Sequence, residues 1–245
     1  MTKFYWILAV VAVAGIAAVG YSVGSGTMGK AATEPVEVEG LDQMETLVSM
    51  AQGITKGDPD APITIAEFSD YQCPGCGAFV LTVKPQIELN YIQNGKAKFV
   101  YYDFPLISIH PYSFLAARAG RCANDQGKFW EFQNIIYRNQ STWVTKTSVE
   151  GDFVDYAVQA GAEKKTFEAC LKSDAHADVV SANLRLAEEL GIEGTPTVMI
   201  SMGRGMARRL MSFDYASIRD AIETLVAESR AASGAQTDTT TAPGS

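Results

Sequence analysis

Apolar and polar residues follow two different patterns along this chain of 245 residues, one typical of strands and one typical of helices. β-Branched and aromatic runs at residues 63–68 and 98–102 have the length and composition of strands. A helical pattern lies between them, from residue 76 to about residue 94, and Pro85 should kink or interrupt it. A strand, a helix and a strand within about forty residues predict a βαβ unit with parallel strands.

The pattern changes between about residue 110 and residue 190, where apolar residues recur every three or four positions in five successive segments. This pattern predicts a run of helices. Strand character returns at residues 196–200, with a partner strand at 207–212 and a closing amphipathic helix at 217–232. The predicted order is therefore β-α-β, a helical insert and β-β-α, which is an α/β fold.

The N-terminus carries an apolar segment, residues 4–21, without a single charge. Its length lies at the border between signal-peptide cores and membrane spans, so a cleaved signal peptide and an uncleaved anchor both stay open, with the anchor favoured. Lys3 precedes the segment and acidic residues follow it, which predicts that the rest of the chain is exported. Export places the chain in an oxidising compartment. The acidic residues are Glu34, Glu37, Glu39, Asp42 and Glu45.

The overall charge narrows the range of functions. A formal net charge of −8 argues against a nucleic-acid surface, which would need a basic stripe. Neither a Gly-rich phosphate loop nor an HExxH metal motif is present in the sequence.

Cys73 and Cys76, in the stretch CPGC, stand where the first predicted strand gives way to a helix. The free N–H groups of a helix start stabilise a thiolate at Cys73, and Cys76 can resolve a mixed disulfide. Zinc is one alternative, but a structural site needs four ligands, and His110 and His176 form no second pair. An inert structural disulfide is the other alternative. The spacing favours a redox pair without a metal.

Three stretches, EFSDYQCPGC, GKFWEFQNIIYRNQ and GTPTVMI, resemble the DsbA-like thiol–disulfide oxidoreductases of the thioredoxin superfamily. The resemblance covers about residues 55–230 and implies a thioredoxin fold with an inserted helical subdomain. Combined with the pattern, it divides the chain into a signal peptide or anchor (1–22), a flexible tether and short helix (23–54), the first half of the fold (55–106), the helical insert (107–192), the second half (193–232) and a disordered tail (233–245).

The resemblance also implies roles for residues beyond the cysteines. Thr195-Pro196 matches the cis-proline loop that receives substrate backbone, whereas the residues alone favour an ordinary trans bond. Glu67 matches a buried acid that accepts the proton of Cys76, whereas alternation alone makes it a surface residue. The dipeptide between the cysteines is Pro-Gly instead of the Pro-His of strongly oxidising members, which predicts a less oxidising couple.

The remaining cysteines, Cys122 and Cys170, fall in two predicted helices. In an exported protein they most simply form a structural disulfide with each other, and some relatives carry such a bond in the insert. Two buried free thiols are the alternative.

The expected function is that of an exported protein thiol–disulfide oxidoreductase, tethered on the outer side of the cytoplasmic membrane. It would oxidise reduced or unfolded exported proteins, need no cofactor beyond the Cys73–Cys76 disulfide and be reoxidised by a quinone-linked membrane oxidase. A reductase or isomerase kept reduced by a membrane electron donor is the nearest alternative. A non-enzymatic metal chaperone is a more distant one.

Overall fold

The computed structural model describes residues 32–203 and 205–237. The predicted signal or anchor segment at residues 1–22 lies outside these ranges. Within them, no helix combines the length and the apolar character that a membrane span requires.

A five-stranded sheet forms the centre of the molecule, with strand order β1-β3-β2-β4-β5. Strands β2 and β3 pair in parallel, which confirms the predicted βαβ unit, and the other neighbours are antiparallel. The strands are β1 (Ile54–Lys56), β2 (Ile63–Ser69), β3 (Ala97–Asp103), β4 (Thr197–Met202) and β5 (Arg208–Arg209).

Ten α-helical segments surround the sheet in the described part of the chain. They are α1 (Met44–Met50), α2 (Pro74–Ala78), α3 (Lys84–Ile87), α4 (Ser113–Asn124), α5 (Phe129–Arg138), α6 (Gln140–Trp143), α7 (Glu150–Gln159), α8 (Lys164–Lys172), α9 (Ala177–Glu189) and α10 (Tyr215–Thr237). Wider π turns, Phe79–Val83 and Glu88–Ile92, follow α2 and α3. Pro85 lies in the first turn of α3, directly after the first π turn, so the predicted interruption is present.

The helical insert and the sheet share one hydrophobic core. Ile65 and Phe99 of the central strands belong to the same buried cluster as Phe132, Trp143 and Phe153 of the insert. Each such side chain contributes roughly 1.5–3 kcal/mol by leaving water. The insert is therefore packed onto the fold that carries the CPGC stretch.

Some boundaries differ from the predicted ones. Strand β1 pairs antiparallel with β3 and was not predicted, because three residues are too few to show alternation. The partner strand predicted at 207–212 is reduced to β5, with two residues. Helix α10 continues to Thr237, into the segment predicted to be a disordered tail, because each added helical residue gains a backbone hydrogen bond.

The predicted flexible tether is wrong for the segment that begins at Ala32. The Ala32 N–H donates to Asp174 Oδ1 at 3.1 Å, and Arg118 Nη1 donates to the Ala32 carbonyl at 2.8 Å. Val36 donates to Ser181 Oγ at 2.9 Å and packs with Ala32 on buried residues of α4 and α9. Backbone groups and small apolar side chains thus hold this segment on the insert.

Candidate active site

Cys73 occupies the N-cap of α2, four residues after the end of β2. Its backbone is extended, with φ −72° and ψ 121°, and Pro74 fills the first helical turn, where a missing N–H is not needed. The Cys73 carbonyl already accepts the first helical bond, from Gly77 N–H at 3.2 Å. The strand-to-helix junction therefore presents the Cys73 sulfur beside the positive end of a helix.

The surroundings of Cys73 favour its thiolate. A hydrogen bond from the Cys76 thiol, helped by the N–H groups of Cys76 and Gly75, lowers the pKa of Cys73 to about 5, although partial burial opposes this. Both cysteines are free in the structure, without a disulfide between them. In the thiol form, Cys73 Sγ donates to the Thr195 carbonyl oxygen at 3.3 Å.

Cys76 has the opposite environment. Its side chain is fully buried, and the Asp70 N–H donates to its sulfur at 3.4 Å. Burial raises the pKa of the Cys76 thiol well above its ordinary value, and the nearby Cys73 and Glu67 act in the same direction. The pair thus consists of one half-exposed thiolate and one enclosed thiol.

The Thr195-Pro196 peptide bond is cis, and it lies against the cysteine pair. A Cβ atom built on Gly75 would lie 3.1 Å from Pro196 Cδ and 3.7 Å from Cys73 Sγ. The residue between Pro74 and Cys76 therefore faces this proline at close range, which suits glycine. The structure thus brings the two predicted regions, residues 73–76 and 195–196, together.

Glu67 lies on β2, the strand that leads to the cysteines, between Tyr101 of β3 and Val198 of β4. It is fully buried, and neither carboxylate oxygen has a hydrogen-bond partner among the described residues. Burial raises the pKa of Glu67 to about 7, while the charge of Lys84 opposes the rise. The surface position that alternation suggests is wrong, because helices cover this central strand.

Lys84 of α3 is a buried charge that the sequence pattern did not indicate. Only 1% of it is exposed, its Nζ donates to Gln133 Oε1 of α5, and it lies 4.6 Å above the Trp130 ring. Burial lowers the pKa of Lys84 to about 8, although the carboxylates of Glu88 and Glu67 oppose this. Its one sequence signal is a charge inside the apolar stretch FVLTVKPQI.

Asp70 holds the loop before Cys73 in place through hydrogen bonds, and the sequence did not indicate this role. Asp70 is buried and accepts hydrogen bonds from the N–H groups of Gln72 and Leu106, each at 2.7 Å. His110 Nδ1 lies 2.8 Å from Asp70 Oδ2. These contacts tie the loop after β3 to the segment that presents Cys73.

Cys122 and Cys170 are joined by a disulfide, with their Cα atoms 5.8 Å apart. The bond connects α4 and α8 inside the helical insert. Cys122 is buried, whereas Cys170 is partly exposed.

The chain is similar in sequence to several known proteins. The sequence profile of a family described as thioredoxin matches residues 49–223. The chain is 30% identical over 173 residues to the probable disulfide bond formation protein D of Bacillus cereus, an alignment that covers 68% of this chain and 76% of that protein. It is also 25% identical over 163 residues to the Na(+)/H(+) antiporter NhaA 3 of Salinispora tropica. That alignment covers 66% of this chain but only 24% of the antiporter.

Solved structures agree with the sequence matches. The oxidised BdbD of Bacillus subtilis superimposes with a TM-score of 0.61 at 26% identity, covering 71% of this chain and 95% of that one. The alpha-DsbA1 of Wolbachia pipientis gives a TM-score of 0.63 at 22% identity, covering 72% and 92%. The second match bears on the fold alone.

Proposed function

The chain belongs to the thioredoxin family as a DsbA-like thiol–disulfide oxidoreductase, and from this premise we propose that it oxidises the dithiols of exported proteins. The predicted fold, an α/β thioredoxin fold with a helical insert, and the predicted enzyme class are both confirmed by this membership. The direction of electron flow is the proposal. The observation that carries it is the contrast between the pKa of Cys73, lowered to about 5, and that of the enclosed Cys76.

The proposed cycle starts from the Cys73–Cys76 disulfide. A substrate thiolate attacks Cys73 Sγ, the bond between the two enzyme sulfurs breaks, and Cys76 takes the electron pair and a proton. A second substrate thiolate then attacks the substrate sulfur of the mixed disulfide and displaces Cys73 as a thiolate. The substrate loses two electrons and two protons and gains a disulfide; Cys76 takes one proton, and the other goes to solvent because Cys73 leaves as a thiolate. Because the leaving Cys73 has a low pKa, its departure is fast.

The same pKa supports the oxidising direction. A thiolate that its surroundings stabilise makes the reduced enzyme more stable relative to the disulfide form, which strengthens the disulfide as an oxidant. The Cys76 and Gly75 N–H groups supply part of that stabilisation where strongly oxidising relatives also have a histidine. We therefore expect an oxidant weaker than those relatives.

We assign supporting roles to two further regions. Glu67, with a pKa of about 7, exchanges a proton with Cys76 as that buried sulfur alternates between thiol and disulfide. The carbonyl of Thr195 and the ring of Pro196 lie beside Cys73 and receive the backbone of a substrate peptide.

The location and the partners belong to the same proposal. We infer that the chain acts outside the cytoplasm, tethered to the cytoplasmic membrane through residues 1–22, on reduced exported proteins. A quinone-linked membrane oxidase would return Cys73 and Cys76 to the disulfide. The similarity to a probable disulfide bond formation protein of Bacillus cereus supports this direction.

The experiment is a measurement of the reduction potential of the Cys73–Cys76 couple. The protein is equilibrated with glutathione buffers, quenched in acid and alkylated, and the modified fraction of Cys73 is read by peptide mass spectrometry. A potential between about −120 and −180 mV supports the oxidase. A value near −270 mV, which is that of thioredoxin, would overturn it in favour of a reductase supplied by a membrane electron donor.

A further inference from the structure

A cluster of metal-binding side chains lies away from the CPGC stretch, at one end of the helical insert. The sulfurs of Cys122 and Cys170 and a ring nitrogen of His176 all lie within 4.8 Å of one another. The sequence suggested no metal site here, because Cys170 lies 48 positions after Cys122 and His176 lies still further along the chain. The fold brings them together by packing α8, and the turn after it, against the end of α4.

Asp125, the C-cap of α4, completes the cluster. Its Oδ2 atom lies 2.7 Å from His176 Nε2 and 3.8 Å from Cys170 Sγ. A carboxylate in this position either binds a metal directly or orients the imidazole that does. Two sulfurs, one imidazole and one carboxylate provide the four ligands of a tetrahedral zinc site.

His176 reaches the cluster from an unusual backbone conformation. Its φ of +66° makes it the one non-glycine residue with a positive φ among those that the structure describes. This left-handed conformation costs a residue with a Cβ atom some energy and is concentrated at functional positions. The conformation directs the imidazole to Asp125 instead of into the helix that begins at Ala177.

We propose that the Cys122–Cys170 disulfide and a zinc site are alternative states of this cluster. When the disulfide is reduced, Cys122, Cys170 and His176 bind one Zn²⁺, and Asp125 supplies the fourth ligand. The proposal does not rest on the direction of electron flow at Cys73, since it concerns the other cysteine pair.

Reduction of the disulfide precedes metal binding. A dithiol supplies two electrons and two protons, the bond between the Cys122 and Cys170 sulfurs breaks to give two thiols, and the dithiol becomes a disulfide. Zn²⁺ then displaces the two thiol protons. With Zn–S bonds of about 2.3 Å, a tetrahedral site holds its sulfurs about 3.8 Å apart, so both side chains rotate away from the disulfide geometry.

The positions of Cys122 and Cys170 in their helices favour a bound metal over a free reactive thiolate. Cys122 and Cys170 both lie in the last turn of their helices, α4 and α8, where the negative end of the helix dipole disfavours an anion. A divalent cation supplies the missing positive charge. It also has a path from solvent, because 25% of the His176 side chain and 48% of the Asp125 side chain are exposed.

The test uses the full chain with Cys73→Ala and Cys76→Ala, so that Cys122 and Cys170 are its only thiols. The protein is reduced with a phosphine, which becomes the phosphine oxide, and is desalted without oxygen. Co²⁺ is then titrated as a spectroscopic probe. We expect one equivalent per chain, with thiolate-to-cobalt charge transfer and the visible bands of a tetrahedral ion, both lost on adding Zn²⁺. The oxidised protein should show neither signal.

Matched variants identify the ligands. His176→Ala should weaken cobalt binding at least tenfold, and Asp125→Asn should weaken it by about 10–100-fold. His110→Ala, which changes the only other histidine, should leave the affinity unchanged.

Circular dichroism of the reduced protein, recorded before the titration, establishes that it is folded. The proposal is overturned if the reduced chain binds no cobalt, whether folded or not. It is equally overturned if His176→Ala and His110→Ala bind cobalt with the same affinity.

Discussion

The two cysteine pairs of this chain lie at opposite ends of their helices. Cys73 caps the N-terminus of α2, whereas Cys122 and Cys170 lie in the last turns of α4 and α8. The positive end of a helix stabilises a thiolate and the negative end does not. The first site therefore favours a thiolate that can exchange, whereas the second site favours a disulfide over a free thiolate.

The spacing of each pair along the chain also favours exchange at the first pair and a stable crosslink at the second. A disulfide between Cys122 and Cys170 spans a sequence separation of 48 residues, and closing so long a loop removes much of the entropy of the unfolded chain. Closing the short CPGC loop removes far less. The long-range bond stabilises the fold, and the short-range bond is left free to be made and broken.

The largest expected effect comes from removing the cysteines of each pair separately by mutation. Cys73→Ser should abolish disulfide exchange, because no other described thiol combines exposure with a lowered pKa. The double variant Cys122→Ala/Cys170→Ala should keep its turnover. The rate of oxidation of a peptide with two thiols, followed by fluorescence, measures both.

Two results would contradict that assignment. Turnover by Cys73→Ser at the rate of the unmodified protein would remove Cys73 from the reaction. Loss of turnover in a folded double variant, checked by circular dichroism, would make the second pair part of the catalytic cycle.

The second prediction concerns stability. In a background of Cys73→Ala and Cys76→Ala, reduction of the Cys122–Cys170 bond should lower the free energy of unfolding by about 4 kcal/mol, as chain entropy predicts for this loop. Urea denaturation of the oxidised and reduced forms, in buffer containing a metal chelator, measures the difference. Equal midpoints would show that the bond adds no stability.

Local features of both sites were readable from the sequence. The CPGC spacing at a strand-to-helix junction lies within a dozen residues, so strand and helix patterns alone located Cys73. The pairing of Cys122 with Cys170 depends on how α4 and α8 pack. Helical periodicity states which residues share a face, but it does not state which face meets which.

The buried charges beneath Cys76 were harder to read. Lys84 looks like an exposed residue of an amphipathic helix until Gln133 and Trp130 of α5 cover it, and those residues are 49 and 46 positions away. Strand β1 and the Asp70–His110 contact also depend on long-range packing. Glu67 was placed through family resemblance and not through its own pattern.

The third prediction tests Glu67 as the proton acceptor of Cys76. Glu67→Gln should slow the attack of Cys76 on a mixed disulfide about 100-fold above pH 7, as expected for loss of a general base. In the unmodified protein this rate should rise through about pH 7, because Glu67 must lose its proton before it can accept one. The variant should lack that rise.

Release of a chromophoric thiol from a preformed mixed disulfide at Cys73 reports this step directly. Glu131→Gln, which changes an exposed glutamate of α5, should keep both the rate and its pH dependence. An unchanged profile in Glu67→Gln would assign the proton to another acceptor.

The smallest expected effect comes from removing the charge of Lys84. Removing the more exposed charge of Lys56 serves as the control. The ammonium group of Lys84 holds the pKa of Glu67 below the value that burial alone would give. Lys84→Met should therefore raise the pKa of Glu67 and move the rising limb of the Cys76 rate to higher pH. Lys56→Met removes a more exposed ammonium above the same Trp130 ring and should leave the limb in place.

The same mixed-disulfide assay, run from pH 5 to pH 9, measures both variants. Coincident limbs in Lys84→Met and the unmodified protein would mean that the charge of Lys84 does not reach Glu67. A shift in Lys84→Met alone would show that the buried ammonium of Lys84 lowers the pKa of Glu67, whereas solvent screens the more exposed ammonium of Lys56.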